Sequence, residues 1–139
     1  MSPVQDDSGK PKVVYTARIR TVGGRENGFA RSSDGRLDVV LSTPGSPRIG
    51  TNPEQLFAAA WSACFESAIA DAARKRRVAL PANTAISAEV GRILAGDGHH
   101  LSARLSVSLP GIDPATAKIL LDDAQQICPT RKLCETTSR

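Results

Sequence analysis

The sequence predicts an α+β domain, and three observations predict it. Several short segments alternate apolar and polar residues, as half-buried strands do. One long block between residues 51 and 76 is apolar nearly all round and carries helix-start signals. A second, amphipathic helical pattern follows the last alternating segments. Strands, a long helix, a hairpin and a closing helix together make an α+β order rather than a repeated β-α-β one.

Residues 1–11 are polar and are expected to form a flexible N-terminal segment, with one domain over residues 12–139. From Tyr15 to Arg20 the chain alternates, with Tyr15, Ala17 and Ile19 against Thr16, Arg18 and Arg20. Gly23-Gly24 ends that strand. Phe29 to Arg31 starts a second, Ser33-Asp34-Gly35 signals a turn, and Leu37, Val39 and Leu41 mark a third. Residues 43–51 form a Pro- and Gly-rich loop.

The period then changes. Thr51 or Asn52 can cap a helix, Pro53 suits its first position, and Glu54 favours the positive end of its dipole. The helix is predicted to run to about Arg76, with its middle, LFAAAWSACF, buried. The basic end, Arg74 to Arg77, complements the macrodipole as a solvated helix terminus. Ile86, Ala88 and Val90 alternate, as do Leu101 to Leu109, and Gly96-Asp97-Gly98 joins them as a hairpin turn. His99 and His100 beside that turn are expected to be exposed. Asp113-Pro114 opens a second helix that buries Ala117, Leu120, Leu121, Ala124 and Ile127, and Cys128-Pro129 ends it.

Composition narrows the function. The 139 residues are 40% hydrophobic and 23% charged, an ordinary globular balance, with a net charge of +4. Aromatic residues are only 4%, which argues against a single-strand nucleic-acid binder built on stacking platforms. The longest apolar run, Leu56 to Phe65, is too short to span a bilayer. The N-terminus has no apolar signal core, so a cytoplasmic protein is expected, with no membrane partner and no nucleic-acid partner. Three cysteines, Cys64, Cys128 and Cys134, are too few and too odd in number for a disulfide scaffold. They and the two histidines lack zinc-ligand spacing, and no metal is expected. Phosphate-loop and serine-nucleophile motifs are absent too. On pattern alone, Cys64 and Cys128 also fit as small buried hydrophobes.

Gly23-Gly24-Arg25, Ser33-Asp34-Gly35, the block GTNPEQLFAAAWSACF from Gly50 to Phe65, Leu109-Pro110-Gly111 and Cys128-Pro129 occur in that order. Together they closely resemble the organic hydroperoxide resistance (Ohr) branch of the OsmC/Ohr peroxidases, from about Tyr15 to Pro129. The resemblance implies antiparallel sheets wrapped around a long buried central helix, in an intertwined homodimer with an active site at each interface. It implies a thiol peroxidase with no bound cofactor. Cys64 would be the peroxidatic thiol, Cys128 the resolving thiol, and Arg25 and Glu54 the polar pair that positions and activates Cys64. The substrates would be organic and fatty-acid hydroperoxides, and the reductant an external dithiol such as dihydrolipoamide or a lipoylated protein.

The chemistry suits those roles. A thiolate attacks the O–O bond, a cation beside sulfur favours that charged form, and a carboxylate can hold the cation in place. Leu56, Phe57, Trp61 and Phe65 would receive an apolar peroxide tail. Three features depart from the family pattern. No final strand is recognisable after Cys128, Cys134 is an extra thiol, and Trp61 and Glu66 flank Cys64 as bulkier and more charged neighbours than expected. A redox sensor or binding module of the same fold is the alternative. Turnover of many peroxide equivalents with a dithiol would distinguish the enzyme from it.

Overall fold

The structure is a computed structural model that describes residues 11–128. The predicted mobile segment at residues 1–11 falls outside this range except for its last residue. Cys134 and the sought final strand lie outside it as well. The chain divides between Thr51 and Asn52 into two compact units.

The first unit is a three-stranded antiparallel sheet, ordered β1 (Ile19–Val22), β2 (Phe29–Ser32), β3 (Asp38–Val40). Its first strand differs from the sequence reading. Residues 15–18 are not in a strand, and Tyr15 is 76% exposed. The cause is the length of the neighbour. Ile19 pairs with Ser32, the last residue of β2, and beyond the bond from Ser33 N–H to Arg18 C=O (2.9 Å) the chain turns away. Tyr15 to Ala17 alternate correctly, but among the described residues no strand pairs with them.

Between β1 and β2 the glycine break is a short helical turn, α1 (Gly24–Asn27). The β2–β3 turn is held by side chains. Asp34 Oδ1 accepts from Ser32 Oγ (2.6 Å) and from Arg36 N–H (3.0 Å), and these bonds hold its carboxyl below the usual range. Leu41, expected at the end of the third strand, instead forms a parallel bridge to Thr51 and is buried.

The second unit begins with α2 (Pro53–Lys75), continues with the hairpin β4 (Ala85–Ala95) and β5 (Gly98–Ser108), and closes with α3 (Pro114–Ile127). Asn52 is the α2 cap, its side chain accepting from Gln55 N–H at 2.9 Å, with Pro53 at the first position. The helix ends in a Schellman motif. Val78 N–H bonds Ala73 C=O (2.8 Å), Arg77 N–H bonds Arg74 C=O (3.2 Å), and Arg77 takes a left-handed φ of 59°.

Burial on α2 is narrower than its composition predicts. Phe65, Ala68, Ile69, Ala72 and Ala73 are buried, whereas Ala59, Ala60 and Ala63 are exposed. The covering elements β4 and α3 pack against α2, and the burial lies in its C-terminal half.

The hairpin is longer than predicted. Its turn needs only Gly96-Asp97, because Ala95 pairs with Gly98, so Gly98 opens β5. His99 and His100 are exposed strand residues, and His100 Nε2 lies 2.8 Å from Asp97 Oδ1. Antiparallel pairing sets Ile86 opposite Val107 and Ala88 opposite Leu105 on one face. Glu89 and Arg104 pair on the other, with an ion pair at 2.9 Å.

Asp113 caps α3, accepting from Thr116 N–H (3.0 Å) and Thr116 Oγ1 (2.8 Å). Leu120 and Ala124 are buried on its inner face, while Ala117, Leu121 and Ile127 are half-buried. Arg76 Nε reaches Asp123 Oδ2 at 2.6 Å, tying the end of α2 to α3. Among the described residues no helix is long and apolar enough to cross a membrane.

Candidate active site

Cys64 stands on α2 one residue before buried Phe65, and is itself half-buried. Cys128 is the C-cap of α3, with its N–H bonded to Ala124 C=O at 2.9 Å and 2% of its surface exposed. The amphipathic period of α3 turns Leu120, Ala124 and Cys128 inward together. Cys128 joins Phe65, Ala68, Ile69 and Ala124 in one buried cluster, and Cys64 and Trp61 pack against that cluster. Two thiols distant in sequence therefore meet one apolar core. They are not bonded to each other.

A cavity of about 410 Å³ opens beside this cluster. Trp61 and Phe65 form its α2 wall, Leu105 and Val107 its β5 wall, and Leu121, Gln125 and Cys128 its α3 wall. Its size suits a small organic molecule. Of the four predicted tail-binding residues, Trp61 and Phe65 line it. Leu56 and Phe57 do not. Phe57 lies one turn earlier and stacks on Trp61, ring centroids 6.0 Å apart and planes inclined by 28°. The sequence reading missed Leu105, Val107, Leu121 and Gln125 as lining. A signal existed: Leu121, Gln125 and Cys128 follow each other at spacings of four and three on one helix, which places them on adjoining turns.

Glu54 sits in the first turn of α2. The helix is continuous from there to Cys64, so ten residues separate the two by about 15 Å along the axis. Within one chain the structure does not bring Glu54 to Cys64.

Arg25 lies in the first unit, on α1 between β1 and β2. Glycines shape its loop. Gly23 has φ 85°, and a Cβ on Gly28 would fall 2.3 Å from the carbonyl oxygens of both Val22 and Gly24. The Gly28 carbonyl accepts from Leu41 N–H (2.8 Å) and from Arg48 Nη2 (3.1 Å), while Arg48 Nε donates to Leu41 C=O (2.9 Å). Arg48 thus fastens the base of the loop that carries Arg25. Nothing local in TPGSPRIGT marks it for that task, because its partners are backbone atoms remote in sequence. Among the described residues, no group of three or more His, Cys, Asp or Glu side chains gathers as a metal site.

The family described as OsmC-like protein matches residues 43–138. The chain is 43% identical over 122 residues to an organic hydroperoxide resistance protein of Xanthomonas axonopodis pv. citri, covering 85% of each. In structure it is similar to the organic hydroperoxide resistance protein OhrB of Bacillus subtilis, with a TM-score of 0.82 and 30% identity over 90% of this chain and 94% of that one. It is also similar to a putative organic hydroperoxide resistance protein of Vibrio cholerae with captopril bound in one of its active sites. That TM-score is 0.82, at 32% identity over 91% and 88%.

Proposed function

This chain belongs to the OsmC-like family, in its organic hydroperoxide resistance branch, and on that premise we propose that it is a thiol peroxidase that reduces organic hydroperoxides. The observation that carries the reading is the convergence of Cys64 and Cys128 on one apolar cluster beside a cavity that Cys128 helps to wall.

In this mechanism the Cys64 thiolate attacks the terminal oxygen of ROOH. The O–O bond breaks, the alkoxide takes a proton and leaves as ROH, and Cys64 becomes a sulfenic acid. Cys128 attacks that sulfur, water leaves, and a Cys64–Cys128 disulfide forms. An external dithiol such as dihydrolipoamide, free or carried on a lipoylated protein, then reduces the disulfide by exchange with two electrons and two protons. The net change is ROOH and a dithiol to ROH, water and a cyclic disulfide. Arg25 favours the thiolate and donates to the departing oxygen, and Glu54 orients Arg25. The apolar lining of the cavity favours an organic tail over hydrogen peroxide, which has none to bury.

Glu54 lies too far to touch the cysteine of its own chain, and in this reading a second copy completes the site. The exposed Ala59, Ala60 and Ala63 surface of α2 permits close approach of that copy's backbone. The reading is thus of a cytoplasmic homodimer without a bound cofactor.

Steady-state reduction of an alkyl hydroperoxide by dihydrolipoamide tests it. Cys64→Ser should abolish turnover. Cys128→Ser should consume one peroxide equivalent and stop, leaving Cys64 open to over-oxidation that mass spectrometry detects. Wild-type turnover by Cys64→Ser would overturn the assignment.

A further inference from the structure

The cavity has one wall unlike the others. Leu105, Val107 and Leu121 offer branched aliphatic surface, whereas the α2 wall is aromatic, with Phe65 buried and Trp61 half-buried. The Trp61 ring is held from two sides. Phe57 stacks on it from the preceding turn of α2, and the buried cluster of Phe65, Ala68, Ile69, Ala124 and Cys128 supports it. A side chain fixed in this way meets a ligand with little ordering cost at binding.

We infer that Trp61 is the specificity-determining residue of this cavity and selects hydroperoxides with a flat aromatic tail over flexible straight chains of equal carbon count. The inference rests on the peroxidase reading and deepens it. An aryl ring stacks offset or edge-on against an indole, an interaction beyond area burial that a straight chain lacks. A straight chain must also give up several rotors to lie in a cavity of about 410 Å³. Both effects act in the same direction, and the stacking contribution alone corresponds to a preference of about fivefold.

Two measurements test this. The first is kcat/KM for cumyl hydroperoxide and for nonyl hydroperoxide, each divided by the hydrogen peroxide value of the same variant, so that a general loss of thiol reactivity cancels. The wild type should favour the cumyl substrate by at least about fivefold. Trp61→Phe should keep most of that preference, and Trp61→Leu should lower it about fivefold.

The second measurement needs no turnover. Trp61 is the chain's single tryptophan, so its fluorescence reports the cavity alone. Cumyl alcohol should change it saturably, at about fivefold lower concentration than nonanol. A wild type without peroxidase activity that still binds cumyl alcohol preferentially would refute the peroxidase reading and leave only the preference of Trp61 for aryl over straight-chain ligands in place. Equal preference in wild type and Trp61→Leu, or equal binding of the two alcohols, would overturn the role of Trp61.

Discussion

Glu54 and Cys64 occupy one unbroken helix, and that sets what an inactive Cys64→Ser chain and a weakened Glu54→Ala chain should do together. Ten residues at about 1.5 Å each place them about 15 Å apart along the axis, and ten steps of about 100° turn them about 80° away from each other. That span is several times the reach of a glutamate side chain. If Glu54 serves the site, it serves Cys64 of a second chain.

Cys64→Ser and Glu54→Ala are therefore expected to complement each other. In a heterodimer, the intact Cys64 of one chain meets the intact Glu54 of the other, giving one good site of two. Random reassociation of equal amounts makes about half the dimers mixed, so the mixture should reach about a quarter of wild-type kcat/KM above the Glu54→Ala background. The assay is alkyl hydroperoxide reduction after co-refolding, with heterodimers isolated on two affinity tags. Verified heterodimers no more active than Glu54→Ala alone would refute action in trans. A fully active monomer would refute the need for a partner.

Leu120 is fully buried on α3 with Ala72 and Ala73 of α2, small neighbours that cannot collapse far into a void. Leu120→Ala should cost about 4 kcal/mol, toward the upper part of the range for such changes, and a loss below about 1 kcal/mol in urea unfolding would contradict this packing. Arg77→Gly should stabilise the fold by about 0.5 kcal/mol, because glycine removes the left-handed strain at φ 59° but adds backbone freedom to the unfolded chain; a lower thermal midpoint would count against the Schellman account. The hydrogen-bonded Arg76 guanidinium holds Asp123 below the usual carboxylate range. A depressed carboxylate stabilises above its unfolded value, about 3.9, and loses that contribution as pH falls through the folded one. Asp123→Asn should therefore lower the thermal midpoint at pH 7 and approach wild type as the pH falls through the depressed folded value; a deficit that does not shrink in acid would show that the charge is not what links the helices.

Where one element's own residues set its geometry, the sequence was readable. Asn52-Pro53 and Asp113-Pro114 each place a capping side chain before a proline, and both helices start there. Leu101 to Leu109 alternate cleanly, and all but Leu109 lie in β5. Tyr15 to Ala17 show the limit of this logic, since alternation describes a strand's faces and not whether a neighbour is long enough to pair with it. The even apolarity of LFAAAWSACF likewise shows that a surface wants covering without saying which half of α2 the chain itself covers. Cys64 stood out through its motif. Gln125 and Arg48 did not, because one acts through a cavity built from three elements and the other through carbonyls at residues 28 and 41.

The loop around Arg25 changes how a map of mutations across this protein would read. Gly28 bears no reactive group, yet any side chain there would collide with two carbonyl oxygens and displace the turn that carries the guanidinium. If Arg25 acts as proposed, a substitution at Gly28 should therefore mimic its loss in an activity screen, although it lies in a different unit from both thiols. Sites ranked by lost activity would then place a glycine among the groups proposed to be catalytic, and a structure of the variant would separate the residue that does chemistry from the one that keeps it in place.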